Sequence, residues 1–553
     1  MFRGTVLRAF AAIVLLVGVG KAAPLERDIV PTVTLDKGTF VGLNEGTVYK
    51  YLGIPFAQPP VGDLRFNLPV ANSPYNGTHS AIALGAACPQ QAVSLPIGTG
   101  LVADAVAFIV NSIFQIVTGS EEDCLTINVV VPSTATSTSK LPVVAWIFGG
   151  GFELGSPGMY DGGVIVERSI ELGEPIIYVS MNYRVSAFGF LASQEVKDAG
   201  VGNLGLQDQR LALKWIQKYI SAFGGDPDKV TIWGESAGAI SVAMHMLTNG
   251  GDTEGLFRGA FMESGSPIPV GDITHGQAVY DAIVDETGCT GASDTLQCLR
   301  ELPYTTLKAA VDKSPNIFSF QSLNLAYLPR VDGNFLTDDP QKLVQSGSVA
   351  DIPFVNGDCD DEGTLFTLVL LNITTEQEVR DYVVQNYVPE ISDSDLDTLL
   401  TLYPADPTQG SPFDTGILNA LTPQFKRLAA MQGDLVFQAP RRFFLQQRSA
   451  KQKIWSFLSK RLKALPALGA LHASDILDIY GTGEMRDYLV HFVNNLDPNG
   501  DTGTTFNWPQ YTNDSPQLLT FLDDLTTPLQ ITQDNYRVDG MQLLTQLSLA
   551  EPL

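Results

Sequence analysis

Ser236 stands in Gly234-Glu235-Ser236-Ala237-Gly238, between the β-type run Val230-Thr231-Ile232-Trp233 and a small-residue, apolar stretch reaching His245. In a chain with 51 glycines the pattern G-x-S-x-G is weak alone, because chance supplies it. Its setting between a strand and a helix gives it meaning. A sharp turn there lifts the serine Oγ above a sheet as a nucleophile elbow. Gly234 and Gly238 remove side chains that would clash with the flanking elements, and the amide of Ala237 points at a developing oxyanion. The chemistry implied is attack of a hydroxyl on an acyl carbon.

A serine hydroxyl needs a neighbouring base, and histidine is the usual one. The chain has five histidines. His79 lies beside a glycosylation acceptor ahead of the main strands. His245 is more than two helical turns past Ser236, His275 falls in an insertion, and His491 falls in what reads as a surface helix. His472 follows a late strand and the small-residue loop Ala467-Leu468-Gly469-Ala470-Leu471. Loop, strand end and chain order all favour His472. A carboxylate must then orient the imidazole. The strand Ile352 to Val355 leads into Asp358, Asp360, Asp361 and Glu362, and chemistry does not choose among them. Most are expected to be solvated surface charges. Finally, Trp146-Ile147-Phe148 ends in Gly149-Gly150-Gly151-Phe152, where glycines let backbone amides turn toward a reacting carbonyl.

These parts need a sheet to hold them. Val143 to Phe148 and Ile176 to Ser180 are continuous apolar runs, as expected for strands buried on both faces of a mostly parallel sheet. Leu206 to Ile220 reads as a helix with Leu211, Trp215 and Tyr219 on one stripe. Thr32 to Leu35 and Val48 to Leu52 read as strands of a small N-terminal sheet. Gly271 to Thr337 and Glu376 to Gln447 read as helical insertions. The expectation is one α/β catalytic domain over residues 23–553, its chemistry at the carboxyl ends of the strands.

Arg3 and Arg8, the apolar run Ala9 to Gly20 and Lys21-Ala22-Ala23 predict a secretory signal over 1–22 and release outside the cell. No integral membrane segment is expected. Five cysteines, Cys88, Cys124, Cys289, Cys298 and Cys359, suit disulfides in that setting and leave one over. No CxxC or HxxxH spacing exists, so no metal is expected. Asn76, Asn372 and Asn513 are glycosylation acceptors in form, the last weakened by Pro516. A net charge of −26 repels nucleic acid and anionic membranes.

Taken together, these stretches resemble the type-B carboxylesterase/lipase family, which also holds the cholinesterases. Tyr51-Leu52-Gly53-Ile54-Pro55-Phe56-Ala57, Glu122-Asp123-Cys124-Leu125-Thr126-Ile127-Asn128-Val129 and Gly234 to Gly238 carry the likeness. Gln409-Gly410-Ser411-Pro412-Phe413-Asp414-Thr415-Gly416 and Thr422-Pro423-Gln424-Phe425-Lys426-Arg427 resemble specifically its Candida rugosa-like fungal lipases and sterol esterases. The resemblance implies an α/β-hydrolase fold with helices on both faces of the sheet. It implies Ser236, His472 and Glu362 as catalytic residues, and Gly150, Gly151 and Ala237 as oxyanion donors. It also implies Cys88–Cys124 and Cys289–Cys298 bridges and no cofactor. Cys359 departs from the pattern and is expected to be a buried, inert thiol.

The strongly apolar stretch Leu101 to Val117, inside a loop of about 89–123, reads either as a lid that opens at a lipid–water boundary or as a fixed wall. The lid is favoured. It points to acylglycerols and sterol esters as substrates, with the protein a monomer or weak homodimer. Two rivals are an esterase for soluble or feruloyl-type aromatic esters on the same residues, and a non-catalytic adhesion module.

Overall fold

The computed structural model describes residues 30–93, 119–500 and 506–553. The expected signal lies outside these residues, as does most of the expected lid loop. Thr32–Leu35 (β1) and Lys37–Val41 (β2) pair antiparallel, and Asn76–Ser80 (β5) joins β2 to complete a three-stranded sheet.

A 12-stranded sheet carries the rest. Its strands are Leu43–Asn44 (β3), Val48–Pro55 (β4), Thr126–Pro132 (β6), Leu141–Ile147 (β7), Ile177–Met181 (β8) and Gly225–Glu235 (β9). Gly259–Glu263 (β10), Phe354–Cys359 (β11), Ile454–Trp455 (β12), Phe457–Ser459 (β13), Gln517–Phe521 (β14) and Leu529–Gln533 (β15) follow. The order is β3-β4-β6-β8-β7-β9-β10-β11-β13-β14-β15, with β12 also on β11. From β8 across to β14 every neighbouring pair is parallel. The outer pairs β3/β4, β4/β6, β6/β8 and β14/β15 are antiparallel. Gly163–Glu171 and Met485–Asn495 pack together on one face, and Leu204–Tyr219 and Ala237–Leu247 on the other. Both faces are therefore covered, which is why β6 and β8 are buried along their whole length.

Three expectations are corrected. Val48 to Leu52 belongs to the large sheet, because β4 finds its antiparallel partner in β6. The helix Leu204–Tyr219 turns a broader stripe inward: Leu206, Gln209, Leu213 and Ile216 are buried along with the expected Trp215, while Leu211 and Tyr219 are half-exposed. Trp215 and Tyr219 serve the small sheet. Trp215 Nε1 donates to Tyr75 Oη at 2.8 Å, and Tyr219 Oη donates to Asp36 at 2.7 Å. His491 is buried rather than on a surface, its Nδ1 2.8 Å from Glu174 Oε2.

The two insertions lie where expected. Between β10 and β11 come Gln277–Glu286, Thr295–Glu301, Tyr304–Val311 and Pro340–Ser346. Between β11 and β12 come Glu376–Asn386, Asp393–Leu402, Phe425–Gly433 and Ala439–Arg448. Cys88–Cys124 and Cys289–Cys298 are bonded, and Cys359 is free and buried. Of the glycosylation acceptors, Asn76, Asn372 and Asn513 all lie at the surface.

Candidate active site

β9 ends at Glu235 and the helix Ala237–Leu247 starts two residues later, leaving Ser236 alone to make the turn. It does so at φ 56°, ψ −126°, a backbone state costly for any residue with a side chain. Neighbouring contacts hold it there. Ser236 N–H donates to Glu263 O at 2.9 Å, and its carbonyl accepts from Ile240 N–H at 2.9 Å. The flanking glycines are required by space. A Cβ on Gly234 would lie 2.4 Å from the carbonyl carbon of Gly238, and one on Gly238 would lie 2.0 Å from Ile147 O.

The side chains that sequence placed far apart meet here. His472 Nε2 is 2.8 Å from Ser236 Oγ, and His472 Nδ1 is 2.5 Å from Glu362 Oε2. The other oxygen of Glu362 accepts from Ser264 Oγ–H at 2.7 Å and from Cys359 N–H at 2.6 Å. Burial pushes Glu362 up, against those two hydrogen bonds, which favour the carboxylate that accepts from His472 Nδ1–H. Burial likewise pushes His472 down to about 4, while Asp475 and Asp358 pull it back upward. At neutral pH the imidazole is therefore unprotonated and available as an acceptor.

The loop 358–362 is not solvated; every acid in it is buried with a partner. Asp358 bonds Arg441 at 2.8 Å. Asp360 pairs with Lys463, and Asp361 binds Lys463 at 2.6 Å and Ser411 Oγ–H at 2.9 Å. Of these four acids, Glu362 is the one bonded to the histidine. Because β11 continues through Cys359, the loop is shorter than the sequence suggested and its carboxylates are aimed by the strand.

The glycine loop after β7 lies directly on the serine. A Cβ at Gly149 would be 2.8 Å from Ser236 Cβ, and Gly150 and Gly151 take φ values of 113° and 63°. The side chain of Gln90, just after Cys88, clamps the far end of this loop. Its Oε1 accepts from Gly155 N–H at 2.6 Å, and its Nε2 donates to Gly155 O at 3.1 Å.

Above Ser236 opens an apolar pocket lined by Ile240, Ile268, Leu325, Leu328, Phe366 and Leu435 among others. The backbone widens into a π-helical turn over Asp434–Gln438, where Pro440 supplies no N–H to continue the tighter ladder. This turn brings Phe437 to the imidazole, ring centres 4.6 Å apart, with Phe366 at 5.2 Å. Sequence reading missed Ser264, Gln90, Phe366 and Phe437. Ser264 had a signal, since it directly follows a strand end beside the elbow; the other three depend on long-range packing. Among the described residues, no group of three or more His, Cys, Asp or Glu side chains is arranged to hold a metal.

The comparisons with known proteins agree with one another. The family model described as "Carboxylesterase family" matches residues 29–538. "Lipase 2" of Diutina rugosa is 45% identical over 527 residues, covering 93% of this chain and 96% of that protein. "Secreted lipase 1" of Botryotinia fuckeliana is 46% identical over 508 residues, covering 88% of each. The crystal structure of Aspergillus niger EstA superposes with a TM-score of 0.79 at 29% identity, over 95% of this chain and 99% of that one. The chain belongs to the Carboxylesterase family, and it is a carboxylic ester hydrolase with the α/β-hydrolase fold.

Proposed function

We propose that the protein is a secreted lipase that cleaves long-chain acyl esters, triacylglycerols first and sterol esters second, through an acyl-enzyme on Ser236. Ser236 Oγ attacks the ester carbonyl while His472 Nε2 takes its proton. The amides of Gly150, Gly151 and Ala237 receive the oxyanion. Glu362 steadies the imidazolium through Nδ1–H, and His472 then hands the proton to the departing alcohol. Water repeats the cycle and releases the acid, leaving the enzyme as it began.

The observation that carries this reading is the unbroken run of short contacts from Ser236 Oγ through His472 to Glu362, opening onto an apolar pocket. Such a pocket suits an acyl chain and offers a charged or sugar-like group few partners. The names of the relatives support the lipid substrate, and three of the matched fungal proteins are named as secreted. Among the described residues no helix is long and apolar enough to cross a membrane.

The test is hydrolysis of a triolein emulsion, cholesteryl oleate and methyl ferulate side by side. Triolein is expected to be turned over fastest and methyl ferulate slowest. Preference for methyl ferulate would replace the lipase reading with the soluble-ester one on the same residues.

A further inference from the structure

The segment Thr415 to Thr422 carries no charged side chain, in a chain whose net charge is −26. It displays two consecutive large aliphatics, Ile417 at 72% and Leu418 at 68% exposure, with Leu421 at 38%. Single exposed leucines are ordinary on protein surfaces. Here the backbone beneath them is built to keep them out. Lys426 is buried in the first turn of Phe425–Gly433, and its ammonium reaches back under the loop. It donates to Thr415 Oγ1 at 2.7 Å, Gly416 O at 2.9 Å and Leu418 O at 3.2 Å. Those three bonds use every donor that a lysine has. Gly416 turns at φ 56° and Asn419 at φ 67°, and Asn419 Oδ1 accepts from Ala467 N–H at 3.0 Å. Thr415 Oγ1–H closes the base of the loop on Pro412 O at 2.7 Å, and the Asp414 carboxylate is neutralised by Lys460 at 2.8 Å. Collapsing Ile417 and Leu418 onto the body would strand the buried ammonium, so the loop stays a rigid, uncharged point.

Its position matters as much as its shape. Asn419 binds the loop that leads to His472, while Ser411 Oγ–H and Phe413 N–H bind Asp361, the neighbour of Glu362. The point therefore stands beside the carboxyl end of β11, where the site is built. We infer that the Ile417–Leu418 tip is a fixed wedge that inserts into a neutral lipid surface and seats the site against it. The chemistry of the occupant follows from the loop: aliphatic side chains in a segment without a charge of its own, over a Lys426 ammonium that is buried and fully hydrogen-bonded, favour an uncharged acyl surface over an anionic one. This inference rests on the lipid-ester reading and adds a docking surface to it.

The test uses the full chain and Ile417→Ser/Leu418→Ser, with triolein emulsion as the surface. Adsorption is measured by depletion from the aqueous phase, and activity on emulsified triolein and on a dissolved short-chain p-nitrophenyl ester. The variant is expected to adsorb at least about tenfold more weakly and to lose emulsion activity in proportion, from the transfer of two aliphatic side chains. Its turnover of the dissolved ester is expected to stay unchanged. Equal adsorption by both proteins would overturn the wedge, as would a concentration-dependent dimer that the substitutions abolish. As a second readout, Ile417→Trp should show blue-shifted emission on mixing with the emulsion; an unshifted spectrum rejects the proposal even if the double variant folds poorly. Should the parent adsorb through this tip and yet leave triolein intact, the lipase reading falls and the wedge stands.

Discussion

At the scale of single residues, the site works by taking groups away from water. His472 is buried between Phe366 and Phe437, and this pushes its pKa from 6.5 to about 4. The base must be neutral to accept the Ser236 proton, so kcat/KM on a dissolved ester should hold level through mildly acid pH and fall only near pH 4. A fall centred on 6.5 would mean the imidazole is solvated during turnover. Glu153, just past the glycine loop, is another buried carboxyl. Its Oε2 accepts from Ile317 N–H at 2.8 Å, its Oε1 has no partner, and burial pushes it from 4.5 to about 8. A folded value above the unfolded one means its stabilising contribution is complete below pH 4.5 and lost as pH rises toward 8. The whole span is worth on the order of 5 kcal/mol. Glu153→Gln keeps the acceptor for Ile317 and cannot ionise, so its Tm should exceed the parent's at pH 9 and match it at pH 5. Parallel Tm curves for the two proteins would show that Glu153 does not titrate there. Ser236 was legible from sequence because its glycines encode a local turn. Glu362 was not legible from chemistry, since four acids share its stretch and only the distant Arg441, Lys463 and His472 tell them apart.

Among the elements, the parallel strands were readable because burial on both faces leaves a continuous apolar run, as in β7 and β8. β4 was misplaced because its partner β6 lies more than 70 residues away, and pairing over that distance leaves no local trace. The helix Leu204–Tyr219 was placed well but its buried face is broader, since polar Asp208 and Gln209 face inward. Asp208 is buried against Arg184, 2.7 Å away, and Gln209 bonds Ser241 at 3.1 Å and His245 at 3.0 Å. A hydropathy stripe cannot anticipate a satisfied polar core. The helix Ala439–Arg448 shows the same device at larger cost. Arg441 is wholly buried and bonds Asp358 at 2.8 Å, Ser456 at 2.9 Å and Asp534 at 3.0 Å, tying the insertion to β11 and to the segment after β15. Arg441→Met would leave Asp358 buried without its cation and Asp534 held by Arg442 alone. It should lower unfolding free energy by about 3–5 kcal/mol in a denaturant titration. A loss below about 1 kcal/mol would assign the network a neutral role.

For the whole molecule, the acidic surface and the uncharged wedge act together. A net charge of −26 is expected to repel anionic bilayers. Adsorption to phosphatidylglycerol vesicles should therefore be weaker than to phosphatidylcholine vesicles of the same size. Added salt should narrow the gap, because screening at 1 M reduces the reach of these charges to about 3 Å. Equal adsorption at low salt would mean that charge plays no part in choosing the surface. All of this serves a reaction assigned to one hydroxyl. Its most direct test is exposure of the folded protein to a p-nitrophenyl alkylphosphonate, followed by intact-mass and peptide analysis. The account predicts one adduct per chain, on Ser236, with complete loss of ester hydrolysis, and a Ser236→Ala variant that is neither labelled nor active. An adduct on another residue, or hydrolysis that survives in Ser236→Ala, would contradict it.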